Sequence, residues 1–329
     1  MAERGVRGEF LARQVSPVPG PAEGIALLWR DASLQALGAP RVIKFSDLEP
    51  GLAGLPPGVE GTAAWSKVRA LGEGAVLALL RHRASGRLLV GACTHLFWDP
   101  TYPDVKALQA ALLCGAIAAF AREAAAQEPP GPGGVGTVLM GDFNSLASKR
   151  AADRFDPQLP PGGFESGVYT LLSTGALAPE HPDHPATRVW AQPQAGAAAG
   201  PRFPAVPLQA SGLSLASLSA QVWGREPPLT NRTASFAGCL DYVWLSTPHL
   251  AAASALAMPF DDGGWPPMGP QATTAAAATA GAGTGAGAAT QEPRPGSWVD
   301  PVKDVAFGAV PDEHWPSDHL PVGGELLLL

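Results

Sequence analysis

The chain has 329 residues, a net charge of −7 and an isoelectric point near 5.5. That balance excludes binding to nucleic acid through bulk positive charge; a polyanion would have to be held by a local cleft and a cation. Glycine (39) and proline (35) together exceed a fifth of the residues, which points to loops and low-complexity insertions around a smaller folded part.

The length suits one large domain, and a single domain over residues 1–329 is the expectation. The segment 1–23 is charged and punctuated by Pro and Gly, with no apolar core of a secretory signal. Gly24–Trp29 reads as a strand, and the alternating Arg41–Phe45 as an edge strand. Residues 49–64 read as a Gly/Pro-rich loop. Gly74–Arg81 and Leu88–His95 are apolar runs separated by the turn Ala84–Arg87, and so predict a hairpin. Val105, Leu108, Ala111, Leu112, Ile117 and Phe120 recur near a 3.6 period, which predicts an amphipathic helix over Asp104–Ala126 with Asp104 as its N-cap. No stretch reads as a membrane span. Gly136–Met140 reads as a buried strand, and a second helix is expected near Leu146–Phe155. Val168–Leu172 is locally regular. Residues 191–207 read as a Pro/Ala-rich insertion and 270–297, an Ala/Gly/Thr run almost without charge, as a disordered one. Cys239–Ser246 and Gly324–Leu329 close the set of strands. Cys93, Cys114 and Cys239 lie far apart without metal-ligand spacing, and read as small apolar residues of a reducing compartment. Hairpins and few helices suggest a layered α/β sandwich with mixed or antiparallel sheets.

The polar residues of interest sit where strands meet loops. Gly141-Asp142-Phe143-Asn144-Ser145 delivers a carboxylate and a carboxamide two residues apart, on one side of an extended backbone. The carboxylate suits orienting a water or holding a cation, and the amide suits donating to a developing oxyanion. Turn chemistry alone also explains such a sequence. His95 ends one strand, Asp241 leads into another, and Asp318-His319 precede the last. Each has a structural reading when taken singly; the order of all four is what carries information.

That order resembles the endonuclease/exonuclease/phosphatase superfamily, and most nearly the carbon-catabolite-repressor-type poly(A) deadenylases with nocturnin and angel. The family's T-H-x-x-W-(D/N)-P is matched by Thr94–Pro100, its D-V-K-x-x-Q by Asp104–Gln109, and its G-D-F-N-S by Gly141–Ser145. Its T-N-x-T and F-x-G-x-(L/I)-D-Y are matched by Thr230–Thr233 and Phe236–Tyr242, and its P-S-D-H-x-P by Pro316–Pro321. The resemblance runs from about residue 23 to the C-terminus. It implies a DNase I-like four-layer α/β sandwich of two mixed sheets. It also implies a metal-dependent phosphodiesterase in which Asp142 orients or deprotonates water and Asn144 hydrogen-bonds a phosphate oxygen. Asp241 would position His319, His319 would contact the scissile phosphate, and His95 would face a phosphate oxygen. Mg²⁺, with Mn²⁺ as the alternative, would be held by Asp142, Asn144 and Asp318, an oxygen-rich set suited to a hard cation. Pro100 and Phe236 would flank an adenine base, with Asn231 near the substrate. Phe97 and Trp98 are expected to pack the core.

One family feature is not found. The strand with a metal-binding Glu in Q-E-(V/L), and an earlier Asn, have no counterpart; Glu9 and Glu23 match later family positions. The expectation is an N-terminally truncated domain with severely reduced activity. The leading reading is a 3′-exoribonuclease of single-stranded RNA, acting on poly(A), cytoplasmic or nuclear, that could dock on a deadenylase-complex scaffold through a surface the sequence does not name. A phosphodiesterase or phosphatase acting on a dinucleotide or small phosphoester shares the fold. The third reading is a non-catalytic RNA- or scaffold-binding protein.

Overall fold

Alternation along the strands sets the layers. In the computed structural model, which describes residues 5–13, 23–128, 131, 133–157, 159–188, 201–259 and 307–329, the chain opens with β1 (Val6–Arg13), β2 (Glu23–Arg30), β3 (Leu34–Ala36), β4 (Arg41–Lys44) and α1 (Ala63–Arg69). There follow β5 (Gly74–His82), β6 (Leu88–His95), α2 (Pro103–Gln127), β7 (Val135–Asp142), β8 (Ser148–Lys149), β9 (Phe164–Glu165) and α3 (Gly167–Thr174). Next come β10 (Ala176–Leu177), β11 (Leu208–Gln209), β12 (Leu215–Ser217), α4 (Leu218–Trp223), β13 (Asn231–Arg232), β14 (Ala237–Gly238), β15 (Asp241–Ser246), β16 (Leu250–Ala255) and β17 (Gly324–Leu328).

A seven-stranded mixed sheet runs β12-β15-β7-β6-β5-β3, with β4 also paired to β5. Only β6 and β7 are parallel, because the long crossover helix α2 joins them. Successive residues of a strand face opposite sides. Ala75, Leu77 and Leu79 of β5, with Leu88, Val90 and Ala92 of β6, therefore pack with the helices, together with Leu108, Leu112 and Ile117 of α2. Val76, Ala78 and Leu80 point the other way, onto Leu11, Leu27 and Trp29 of the antiparallel β1–β2 hairpin. Further along the same face, Leu245 of β15 meets Leu250 and Ala252 of the β16–β17 pair and Leu218 of α4. The architecture is thus helices, a mixed sheet, and a layer of two separate antiparallel strand pairs, an α/β sandwich.

Several expectations change. β1 was read as part of a charged loop; its pairing with β2 over eight residues overrides its composition. Residues 49–64 hold two 3₁₀ turns and the start of α1, capped by the Thr62 side chain. Leu146–Phe155 is not helical: it carries β8 and turns, and the helix lies further on, as α3. Helix α2 is buried nearly all round, not amphipathic, because α1, α3 and the turn Pro50–Ala53 enclose the sides the sheet leaves open. Its N-cap is Tyr102, without a side-chain bond, and Pro103 starts it at no cost because that N–H has no helical partner. Asp104 lies inside the first turn. Contrary to expectation, α2 is long and apolar enough to cross a membrane, but 89% of its most apolar window is buried inside the protein. Of the expected insertions, 270–297 and 191–200 lie outside the described residues. In the remainder, 201–207, Phe203 is buried and packs edge-on against His184, whereas Pro201, Arg202, Ala205 and Pro207 are exposed. The cysteines are free thiols, Cys114 and Cys239 wholly interior, with burial pushing Cys114 up to about 12.

Candidate active site

Register places the polar residues in one row. His95 is paired with Asp142 across the parallel β6–β7 ladder, and Asp142 with Asp241 across the antiparallel β7–β15 ladder. Paired residues share a face. That face is the one covered lower down by the β1–β2 and β16–β17 pairs, and at the sheet's end His95 borders a cleft between Leu11 and Gly24 of the first pair and Ser317 and Asp318 of the C-terminal loop. Its side chains meet there: His95 Nε2 lies 3.4 Å from Asp142 Oδ2, and His319 Nε2 lies 3.8 Å from the same oxygen. His319 arrives from the C-terminal loop, which is held beside β13 by a bridge between Asn231 and His319.

Asp241 is committed to His319. Its Oδ2 accepts from His319 Nδ1 at 2.8 Å and from the Thr230 hydroxyl at 2.6 Å. A carboxylate only accepts, so Nδ1 carries the proton. The bond to Asp241 holds the His319 imidazole up at about 9, against partial burial. Asp142 is in the opposite situation. Burial, then the charge of Asp241, push its carboxyl up to about 7.

Glycine makes the approach of these strands feasible. Gly141 has φ +146°, and a Cβ there would lie 1.9 Å from the Thr94 carbonyl oxygen. The extended backbone ends at Asp142, so Asn144 does not lie beside it as a strand neighbour. Asn144 instead takes a left-handed conformation, φ +48°, which Asn tolerates better than most residues. Its N–H donates to Asp142 Oδ1 at 2.7 Å and its side-chain amide to the Leu96 carbonyl at 3.0 Å. From below, the Lys106 ammonium donates to the Asn144 carbonyl at 2.7 Å. Lys106 is almost wholly buried, and desolvation, helped by Lys149, pulls it down to about 7. Three residues on, Gln109 Oε1 accepts from the Phe97 N–H at 2.9 Å. Lys106 and Gln109 stand in the matched D-V-K-x-x-Q run and Thr230 in T-N-x-T, but the sequence assigns them no role. Their signal was present in the first two as polar side chains in an otherwise apolar helix.

The structure thus brings His95, Asp142, Asn144, Asp241 and His319 together. Asp318 stands slightly apart, its carboxylate 3.4 Å from the Asn231 amide nitrogen. It lines a cleft of about 490 Å³ with His95, Glu73, Ser317, Leu11 and Gly24. Pro100 is half-buried on the loop after β6, and Phe236 is exposed before β14. Trp98 corrects the sequence reading: it is 59% exposed, whereas Phe97 is buried.

The donor chemistry fits a hard divalent cation. Asp142, Asp241 and His319 present ligand atoms within 4.8 Å of one another, and the bond between Asp241 Oδ2 and His319 Nδ1 leaves Nε2 facing Asp142. Of the other expected ligands, Asn144 is bonded to Asp142 through its backbone N–H, and Asp318 stands with Asn231. Asp142 and Asp241, two carboxylates at one level of the sheet, are what a cation would relieve. Such an ion supplies charge neutralisation and activation of a bound water.

The chain is a member of the Endonuclease/Exonuclease/phosphatase family, whose profile matches residues 14–319. It is similar to the CCR4-Not complex 3′-5′-exoribonuclease subunit Ccr4 of Phaeosphaeria nodorum, 28% identical over 213 residues, covering 55% of this chain and 30% of that protein. The corresponding subunit of Yarrowia lipolytica is 30% identical over 196 residues, covering 55% and 23%. The chain therefore spans less than a third of the length of these curated relatives. Among solved structures it is similar to ANGEL2, a 2′,3′-cyclic phosphatase (TM-score 0.48, 19% identity, 77% of this chain and 66% of that one). The human nocturnin catalytic domain gives 0.45 and 19%, with 78% and 66% covered.

Proposed function

We propose that the protein is a Mg²⁺-dependent phosphodiesterase acting from the 3′ end of single-stranded RNA, with poly(A) as its substrate. The observation that carries the reading is the row His95–Asp142–Asp241 closed by His319. Hydrolysis of a phosphodiester needs a water aimed at phosphorus and positive charge on the non-bridging oxygens. Asp142 Oδ2, facing the open end of the row, aims the water and accepts its proton. His319, kept cationic by Asp241, neutralises the phosphate, and His95 approaches the same region from the other side. The Asn144 turn carries its amide to the phosphate oxygens. Pro100 and Phe236 offer apolar faces for the terminal base, with Asn231 beside Asp318 at the substrate. The Ccr4 relatives, named as 3′-5′-exoribonuclease subunits of the CCR4-Not complex, support RNA as the substrate and a complex scaffold as partner.

A second reading keeps the fold and changes the activity. On that reading the chain binds RNA and does not cut it. The test is a nuclease assay on residues 1–329 with 5′-labelled RNA ending in an A tract, in Mg²⁺, Mn²⁺ and EDTA, beside Asp142→Ala. Metal-dependent shortening from the 3′ end, lost in Asp142→Ala, supports the deadenylase. Binding without cleavage by the folded protein supports the second reading, and neither binding nor cleavage removes both.

A further inference from the structure

The catalytic row and the Pro100–Phe236 pair account for one nucleotide. An exposed aromatic two residues before Pro100 is left unused. Trp98 lies three residues after His95, and its indole is 59% exposed. The backbone that carries it is fixed on both sides. The Leu96 carbonyl accepts from the Asn144 amide, the Phe97 N–H donates to Gln109, and the Thr101 N–H donates to Asp99 Oδ1 at 2.9 Å. The segment before Trp98 is thus tied directly to the Asp142–Asn144 turn. The indole is braced edge-on by the buried Phe97 ring, at 6.1 Å between centroids and 62° between planes. A rigid aromatic held out into solvent exposes apolar area that a core position would bury, and it loses little entropy when it binds.

The same Phe97 ring carries a cation. The Lys67 ammonium of α1 lies 5.0 Å from its centroid and 4.8 Å from that of Tyr102. Lys67 is half-buried and, among the described residues, forms no ion pair with a carboxylate, so its charge is met by two ring faces and solvent. An aromatic plate and an unneutralised ammonium that touch one phenyl ring are what a nucleotide presents a need for: a base to stack and a phosphate to neutralise.

We infer that Trp98 and Lys67 form a second nucleotide subsite, in which a neighbouring base of the bound single strand stacks on the Trp98 indole and its phosphate meets Lys67. The subsite deepens the proposed function and rests on it. It makes the preferred substrate a strand of at least two nucleotides, not a mononucleotide or a small phosphoester. The stack is sequence-tolerant, since every base has a π face.

The test uses fluorescence anisotropy in Mg²⁺ with a labelled oligoadenylate protected by phosphorothioate linkages, and AMP as competitor. Wild type is compared with Trp98→Ala, Trp98→Phe, Trp98→Leu and Lys67→Met. Trp98 is exposed, so its variants are expected to keep the wild-type melting temperature. Trp98→Ala should weaken oligoadenylate binding roughly 5- to 150-fold, leave AMP competition unchanged, and be largely rescued by Phe but not by Leu. Lys67→Met should weaken every sequence alike and reduce the salt dependence by about one phosphate contact. Equal oligoadenylate affinity in wild type and Trp98→Ala overturns the subsite and leaves the proposed function standing. Equal losses for AMP and oligoadenylate overturn it too, placing Trp98 in the first nucleotide's site. Failure of wild type to bind the strand at all overturns the proposed function itself.

Discussion

Asp142 and His319 face each other with proton affinities moved by different causes, and that difference gives the sharpest predictions. His319 is raised by a partner, Asp241, to about 9. Its folded value lies above the unfolded one near 6.5, so the pair contributes stability that is fully present below that pH and is lost as pH rises through about 9. An NMR titration of the imidazole should show a midpoint near 9 in the wild type. Asp241→Asn should bring the midpoint back toward the ordinary value; an unchanged midpoint would contradict the pairing. Asp142 is raised by burial and by Asp241 to about 7. Its folded state holds the proton more tightly, so this group lowers stability as pH rises from about 4 to about 7. Asp142→Asn should therefore melt no lower than wild type at pH 8 in EDTA, and should lose the stabilisation by Mg²⁺. For wild type that stabilisation is expected to reach about 2.7 kcal/mol at a hundredfold excess over Kd, and thermal melts with and without the ion read both. The residues of this site were legible because each sits at a strand end in a short motif. The roles of the supports were not. Lys106 and Thr230 stand in matched motifs, yet they act through backbone and carboxylate partners distant in sequence, which neither motif nor periodicity reports. Trp98 was misread for a related reason: an aromatic beside a buried Phe97 looks like core until the turn after β6 sends it outward.

At the scale of elements, the strands β5, β6, β7 and β15 and the helix α2 were legible because their apolar runs are long and uninterrupted. β1 and α1 were not. Their residues are charged or lie next to Gly and Pro, and only pairing with β2 and packing against α2 make them regular. The amphipathic reading of α2 failed because a 3.6-residue pattern records one buried face, while enclosure by α1, α3 and Pro50–Ala53 buries the small residues on the others. Gly115 marks that enclosure. A Cβ there would lie 2.3 Å from the Leu52 carbonyl oxygen, which is backbone and cannot swing away. Alanine is ordinarily the better helix former by about 1 kcal/mol. Here the contact decides, and Gly115→Ala is expected to destabilise the protein by about 1–3 kcal/mol through overpacking. Chemical denaturation measures it. A variant as stable as wild type would mean that the 3₁₀ turn Pro50–Ala53 yields without cost.

The whole molecule divides its burial unevenly, and the site lies across the division. Helix α2 and the helix-facing side of the seven-stranded sheet form one large cluster, whereas the β1–β2 hairpin is held to the sheet mainly by Leu11, Leu27 and Trp29. The β16–β17 pair is held by a comparably small group around Leu250 and Ala252. Outward, both pairs present apolar side chains to solvent, Phe10 and Leu28 on one, Leu327 on the other. Burial is what makes opening costly, so segments with few buried contacts open at lower free energy than the core. Hydrogen exchange should then proceed in order: amides of β1, β2, β16 and β17 first, by local opening, and those of α2, β5, β6 and β7 last, at the global stability. The row of polar residues inherits both behaviours. His95, Asp142 and Asp241 stand on the slow sheet, while His319 and Asp318 reach it from the C-terminal loop that precedes β17. A bound strand touching Asp142 and His319 together would bridge the two parts. Oligoadenylate should accordingly slow exchange in β13, the C-terminal loop and β17 and leave α2 unchanged. Protection confined to β6 and β7 would mean that the strand is held by the sheet alone and that His319 does not reach the phosphate.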